Sequence, residues 1–279
     1  MEDENFLLSF DPDAFVSEFS CWSELPSEVK VKILRHLPVP TVDSFKFLSK
    51  ECLSLASRVP TEMEEVHLNE KGYYLPQNRR SDEKSMVLEI NGEEILFTDD
   101  GSNGCIVKRS TGENGALVTE TEPHYQNETC QSVAMRTLFQ LTRNARITKL
   151  FIATRLMDEQ LERIFEEQSK NTRITCKSLM ISTHDARFLL KFLPFIAPGC
   201  LLRITAGSPL EPIQFHMDSA CFDLDVMRTA RIIYITALAG ITNDQLPRVR
   251  ATRIFLRAPE ISSCGINHLI LVRTTLTQA

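Results

Sequence analysis

Residues 22–57 read WSELPSEVKVKILRHLPVPTVDSFKFLSKECLSLAS, and their spacing predicts three short helices in succession. Ser23 or Ser27 can cap the first, with Pro26 tolerated in its opening turn. Val29, Ile33, Leu34 and Leu37 recur at spacings of 4, 1 and 3, which places them on one helical face. Pro38 and Pro40 end that helix, because neither donates a backbone N–H and each disfavours helix in the residue before it. Thr41 can cap a second helix with Val42, Phe45 and Leu48 as its apolar stripe. Ser49 or Lys50 opens a third, with Cys52, Leu55 and Ala56 turned inward. So short a unit buries too little apolar surface to stand comfortably alone. It wants a partner or a neighbouring domain.

N-terminal to this block, residues 1–21 hold six acidic residues (Glu2, Asp3, Glu4, Asp11, Asp13 and Glu18) and no Lys or Arg. The net charge of −6 is therefore concentrated in this acidic arm, and the rest of the chain is formally neutral. Apolar residues such as Phe6, Leu8, Phe10, Phe15 and Phe19 are too numerous for a purely solvating tail. The arm reads either as a solvated tail or as a segment that folds onto the body or a partner.

C-terminal to the block, residues 61–130 form a polar connecting region with a β-hairpin. Ser85–Ile90 and Glu93–Phe97 are strand-patterned and joined by Asn91-Gly92, the strongest short hairpin signal. Asp99 to Gly104 then turns the chain into Cys105–Lys108. That turn superficially resembles a calcium loop but lacks the alternating acids and the distant Glu. Residues 131–279 alternate strand-like cores with helix-like pieces. The cores are ITKLFI (147–152), CKSLMI (176–181), CLLRI (200–204), RIIYI (231–235), TRIFL (252–256) and NHLIL (267–271). The helix-like pieces are MDEQLERIFEEQ, DARFLLKFLPFI and TNDQLPRV. The irregular spacing of the cores fits a strand–helix solenoid or an ordinary α/β domain, and either predicts helices on a mostly parallel sheet.

Composition narrows the function classes. With 43% hydrophobic and 24% charged residues the chain suits a globular protein with a sizeable core. The acidic balance argues against nucleic acid as a partner. No stretch approaches the roughly 20 apolar residues of a membrane span, and the acidic start does not resemble a secretory signal. Eight cysteines are spread widely without a CxxC pair, which reads as reduced, largely core-filling thiols rather than a zinc site. Asn127-Glu128-Thr129 is then a chance glycosylation sequon. Neither phosphate-binding glycine motif nor nucleophile elbow is present. The six histidines are scattered; His36, at a helix end, is explained by the helix dipole. His184-Asp185 and Cys200 have no local support as a catalytic pair. No catalytic residue, metal ligand or cofactor is expected.

The pattern Leu25-Pro26-x-Glu28, Ile33-Leu34-x-x-Leu37-Pro38, Val42, Phe45, Leu48-Ser49-Lys50 resembles the F-box, with Trp22 suiting its usual lead-in. Leu48 stands in place of the common Val, and Cys52 where Trp is frequent. Farther on, Ile241-Thr242-Asn243-Asp244-Gln245-Leu246, Arg253-Ile254-Phe255-Leu256 and Gly265-Ile266-Asn267-His268-Leu269 resemble the end of the type-2 F-box-associated domain of nematode F-box proteins. Pro247 replaces that domain's second Leu, and its aromatic tail is missing.

The resemblance implies an α+β or α/β fold: a three-helix F-box at 22–60, then a leucine-rich-repeat-like sheet with helices on one side, the substrate-binding domain being 131–279. It implies a non-catalytic substrate-recognition subunit of an SCF-type cullin–RING ubiquitin ligase, cytoplasmic or nuclear, with a target protein as the other partner. Leu25, Pro26, Val29, Ile33, Leu34, Leu37, Pro38, Val42, Phe45 and Leu48 would supply the apolar surface shared between the small core and a Skp-family adaptor. Exposed strand positions such as Lys149, Lys177, Arg203, Arg253 and Arg257 are candidates for the target face, although a solvated strand face is the better explanation of any one of them. The alternative is a repeat-like interaction protein acting outside the ligase, with an F-box that does not bind the adaptor.

Overall fold

The computed structural model describes residues 22–37, 39–73, 84–101, 104–113, 116–121, 124–168, 172–207 and 215–276. The acidic arm and Pro38 lie outside the described residues. The chain divides into two compact units, residues 1–61 and 62–279.

In the first unit a 3₁₀ turn at Trp22–Glu24 leads into α1 (Ser27–Leu34), α2 (Val39–Phe45) and α3 (Lys50–Ala56). Pro26, not a serine, sits at the N-cap of α1, and no side chain caps it. Its ring fixes φ at −56°, the value that leads into a helix, and costs no hydrogen bond there. Thr41 lies within α2 rather than before it, because Val39 and Pro40 already open the helix. Ser49 does cap α3, accepting from the Cys52 N–H at 3.0 Å. Val31, Leu34 and Leu55 form the buried centre, with Trp22, Leu37, Phe45 and Val59 packed against it. Trp22 meets Phe45 edge-to-face at 5.7 Å.

The second unit is a mixed α/β structure built on one large sheet. Its strands are β1 (Thr61–Glu70), β2 (Ser85–Ile90), β3 (Glu93–Asp99), β4 (Gly104–Glu113), β5 (Ala116–Thr121), the short β6 (Tyr125–Gln126), β7 (Ala145–Thr154), β8 (Thr175–Thr183), β9 (Leu201–Ala206), the short β10 (His216–Met217), β11 (Ile232–Ala239) and β12 (Arg253–Arg257). The first five form an antiparallel meander. Asn91 and Gly92 both adopt positive φ, 51° and 90°, as the tight turn between β2 and β3 requires. The meander joins the second half through β1 and β7, so the hairpin region and the repeat-like region share one sheet.

From β7 onward the full-length strands run parallel in chain order, β7, β8, β9, β11 and β12. Leu150, Leu179, Leu202, Ile233 and Ile254 stack in register across them, 29, 23, 31 and 21 residues apart. The helices α4 (Cys130–Thr142), α5 (Glu159–Glu167), α6 (Ala186–Phe192) and α7 (Asp225–Thr229) accompany these strands. Asp158 and Asp185 cap α5 and α6 by accepting from the N–H groups of Leu161 and Arg187. Leu161, Ile164 and Phe165 of α5 and Phe188, Leu189 and Phe192 of α6 enter one core with the aliphatic strand residues. Phe139, Phe165, Phe188, Phe192 and Phe195 interlock there with neighbouring rings 5.0–6.4 Å apart.

Two expectations of regular structure fail. NHLIL (267–271) is not a strand but part of α8 (Ser263–Leu276). Ile266, Leu269 and Ile270 fall at helical spacing, the run contains no breaker, and the Ser262 hydroxyl accepts from the Gly265 N–H at the helix start. TNDQLPRV yields only a 3₁₀ turn at Leu246–Arg248, since Pro247 removes a donor from so short a segment.

Candidate functional site

The first unit separates its apolar residues into two sets. Leu34 and Val42 are buried, and Leu37 and Phe45 pack on the core. Pro26 is exposed and Leu25 and Ile33 are half-buried. Val29 is 39% exposed and Leu48 71%. Two further residues, not singled out by the helical stripes, are more exposed than expected of apolar side chains: Phe47 at 88% and Leu53 at 52%. Phe47 stands two positions after Phe45, off the face that α2 buries, and so escapes a search for helical periodicity. Val29, Phe47, Leu48 and Leu53 thus leave apolar area of the small module uncovered. Lys30 of α1 is buried, its ammonium 2.8 Å from Glu51 of α3 and 5.7 Å from the Trp22 ring centre.

The second unit offers a different surface. Its helices pack on the aliphatic side of the parallel strands, and the other side carries Phe151, Met180, Arg203, Tyr234 and Phe255 in register. His67 of β1 extends the row, its ring 5.7 Å from Phe151. Of the cations read as surface candidates, Lys149 is paired with Glu65, which holds the Glu65 carboxyl below its usual value by hydrogen bond and charge and raises the Lys149 ammonium by the same contact. Lys177, Arg203, Arg253 and Arg257 are exposed. Near the ends of β1 and β7, Arg155 is ion-paired with Glu70, and its guanidinium lies 5.7 Å from the Tyr73 ring centre. Tyr73 is buried and bonds Ser182 at 3.1 Å. This cluster anchors the turn after β1 to the sheet.

Among the described residues no group of His, Cys, Asp and Glu is arranged to hold a metal ion, and no helix is long and apolar enough to cross a membrane. In the His184-Asp185 pair the His184 backbone N–H donates to the Arg155 carbonyl, and Asp185 caps α6. Cys200 is buried beside Cys176, which donates to it and lowers the Cys200 thiol.

Comparison with known proteins bears on the helical module alone. No curated protein and no solved structure matches the chain. Residues 22–62 match the family model of the F-box domain, so the helical module that exposes Val29, Phe47, Leu48 and Leu53 is an F-box domain.

Proposed function

We propose that the chain is a substrate-recognition subunit of an SCF-type cullin–RING ubiquitin ligase. The F-box would dock on a Skp-family adaptor and the second unit would hold the target protein. The observation that carries this reading is the exposed apolar set on the F-box, Pro26, Val29, Phe47, Leu48 and Leu53, beside the half-buried Leu25 and Ile33. Helix-in-groove docking needs such a surface, and each aliphatic side chain it buries is worth roughly 1.5–3 kcal/mol. The chain itself would make and break no bonds. It would raise the concentration of a target lysine near the charged ubiquitin-conjugating enzyme.

For the second unit we propose an F-box-associated, leucine-rich-repeat-like substrate domain. Sequential parallel strands, helices on one side and an open opposite face support that reading. Co-purification of the full chain with a Skp-family adaptor tests the function, beside Leu25→Ala/Pro26→Ala. A stoichiometric complex that the double variant loses is expected, with the second unit still folded. A folded wild-type chain that captures no adaptor overturns the reading.

A further inference from the structure

We propose that the open face of β9, β11 and β12 docks an acidic peptide segment of the target, anchored by an aromatic or aliphatic side chain, a proposal that rests on the substrate-receptor reading above. Positive charge on the sheet is compensated unevenly. On β7, Arg146, Lys149 and the following Arg155 are each paired with a glutamate of β1. At the far end of the sheet Arg203, Arg253 and Arg257 are exposed, and no carboxylate among the described residues pairs with them. The strands themselves, LLRITA, IIYITALA and RIFLR, contain no acidic residue. In a chain of net charge −6, this is a local basic surface.

The same surface has apolar anchors. Tyr234 and Phe255 are 40% and 55% exposed and lie 6.0 Å apart, ring centre to ring centre. The Arg203 guanidinium carbon sits 5.1 Å from the Tyr234 ring centre. A guanidinium stacked on a ring keeps its N–H edges for a carboxylate and loses little freedom on binding one. Arg253 and Arg257 stand two residues either side of Phe255 and share its face. Aromatic rings framed by arginines are the residue types that dominate peptide-binding hot spots.

Charge complementarity selects an acidic peptide over a nucleic acid. Three arginines are few for a polyanion, whose affinity rests on many phosphate contacts. The row also continues over β1, β2 and β3, where Glu89 and Glu94 would repel a phosphate backbone laid along it.

A random linear peptide display library panned on the full chain tests the proposal, in parallel with a random RNA pool. The variants are Arg203→Glu/Arg253→Glu/Arg257→Glu and Tyr234→Ala/Phe255→Ala. Arg253→Gln/Arg257→Gln, confined to the edge strand, serves if the triple variant misfolds. Enrichment of peptides rich in Asp or Glu with an aromatic or aliphatic residue is expected. Their binding should fall roughly tenfold or more in both sets of variants. No enrichment over blank support, neutral or basic selected peptides, binding indifferent to the variants, or preferential recovery of RNA would each overturn it. Adaptor capture is measured on the same proteins. Its loss with peptide selection intact sinks the ligase reading alone, whereas intact capture without peptide selection sinks this one alone.

Discussion

The ammonium of Lys30 on α1 lies 2.8 Å from the Glu51 carboxylate on α3, with the lysine buried and the glutamate exposed. The pair ties the first helix of the F-box to the third over the face of Trp22, the chain's single tryptophan. Removing the carboxylate leaves the ammonium without its partner, whereas Lys30→Met keeps the packed stem and removes the charge. Glu51→Ala should therefore destabilise the F-box by about 1 kcal/mol, discounted for the exposure of Glu51, and Lys30→Met should cost less. Trp22 fluorescence during urea unfolding of the full chain reads the difference. An unchanged midpoint for Glu51→Ala would show that the contact contributes nothing.

Two classes of apolar residue in the F-box predict two kinds of variant. Leu34→Ala opens a cavity at the centre of the module and should cost about 2–5 kcal/mol, abolishing adaptor capture by unfolding it. Phe47→Ser and Leu48→Ser remove exposed side chains and should leave stability within about 0.5 kcal/mol. Paired in one chain, these surface changes should weaken adaptor capture with the Trp22 transition unmoved. Capture at wild-type strength would place the docking surface elsewhere on the module.

That division shows what the sequence could and could not convey. Helical spacing identified Leu34, Val42 and Phe45 as apolar positions, and the order of Leu-Pro, Ile-Leu and Leu-Ser-Lys motifs revealed the F-box. Spacing could not divide core from contact surface, because both use the same residue types. The parallel strands at 147–152, 176–181, 200–204, 231–235 and 252–256 were legible as β-branched and aliphatic runs. The helix at Ser263–Leu276 was not, since Leu269, Ile270, Leu271 and Val272 make a continuous apolar run that fits a strand or a helix equally well. The row from Phe151 to Phe255 was invisible for another reason. It depends on register between strands 21 to 31 residues apart, which no local pattern encodes.

Among the described residues the cysteines divide by burial into reactive and silent thiols. Cys264 is exposed and Cys52 half-buried, while Cys105, Cys130, Cys176, Cys200 and Cys221 are buried. Burial, helped by Asp99, pushes the Cys105 thiol up to about 12, and burial with Asp218 nearby does the same to Cys221. Thiolate is the reacting form, so these groups should resist alkylation at neutral pH. Iodoacetamide labelling of the native chain, located by mass spectrometry, should modify Cys264 first and Cys52 next among these seven. Cys105 and Cys221 should react only after denaturant is added. Rapid native labelling of Cys105 would contradict the packing of β3, β4 and α4 around it.

Asp185 predicts a particular loss of stability in acid. Burial opposes its ionisation, but the Arg187 side chain and the backbone N–H groups of Arg187 and Met157 outweigh that and hold its carboxyl below the usual aspartate value. Arg187 Nη2 lies 2.7 Å from Oδ2 and the Arg187 backbone N–H reaches Oδ1 at 3.0 Å, so charge and helix cap act on the same carboxylate. A group with a depressed native pKa stabilises the fold fully above its unfolded value, about 3.9, and loses that contribution as the pH falls through its native value. Asp185→Asn removes the charge and keeps a capping oxygen. It should cost about 1 kcal/mol at neutral pH, and the gap between variant and wild type should close below about pH 4. Urea midpoints by far-UV circular dichroism from pH 6 to pH 2.5 measure that gap. A difference that stays constant across the range would mean that Asp185 acts through its shape and hydrogen bonds alone, with no contribution from its charge.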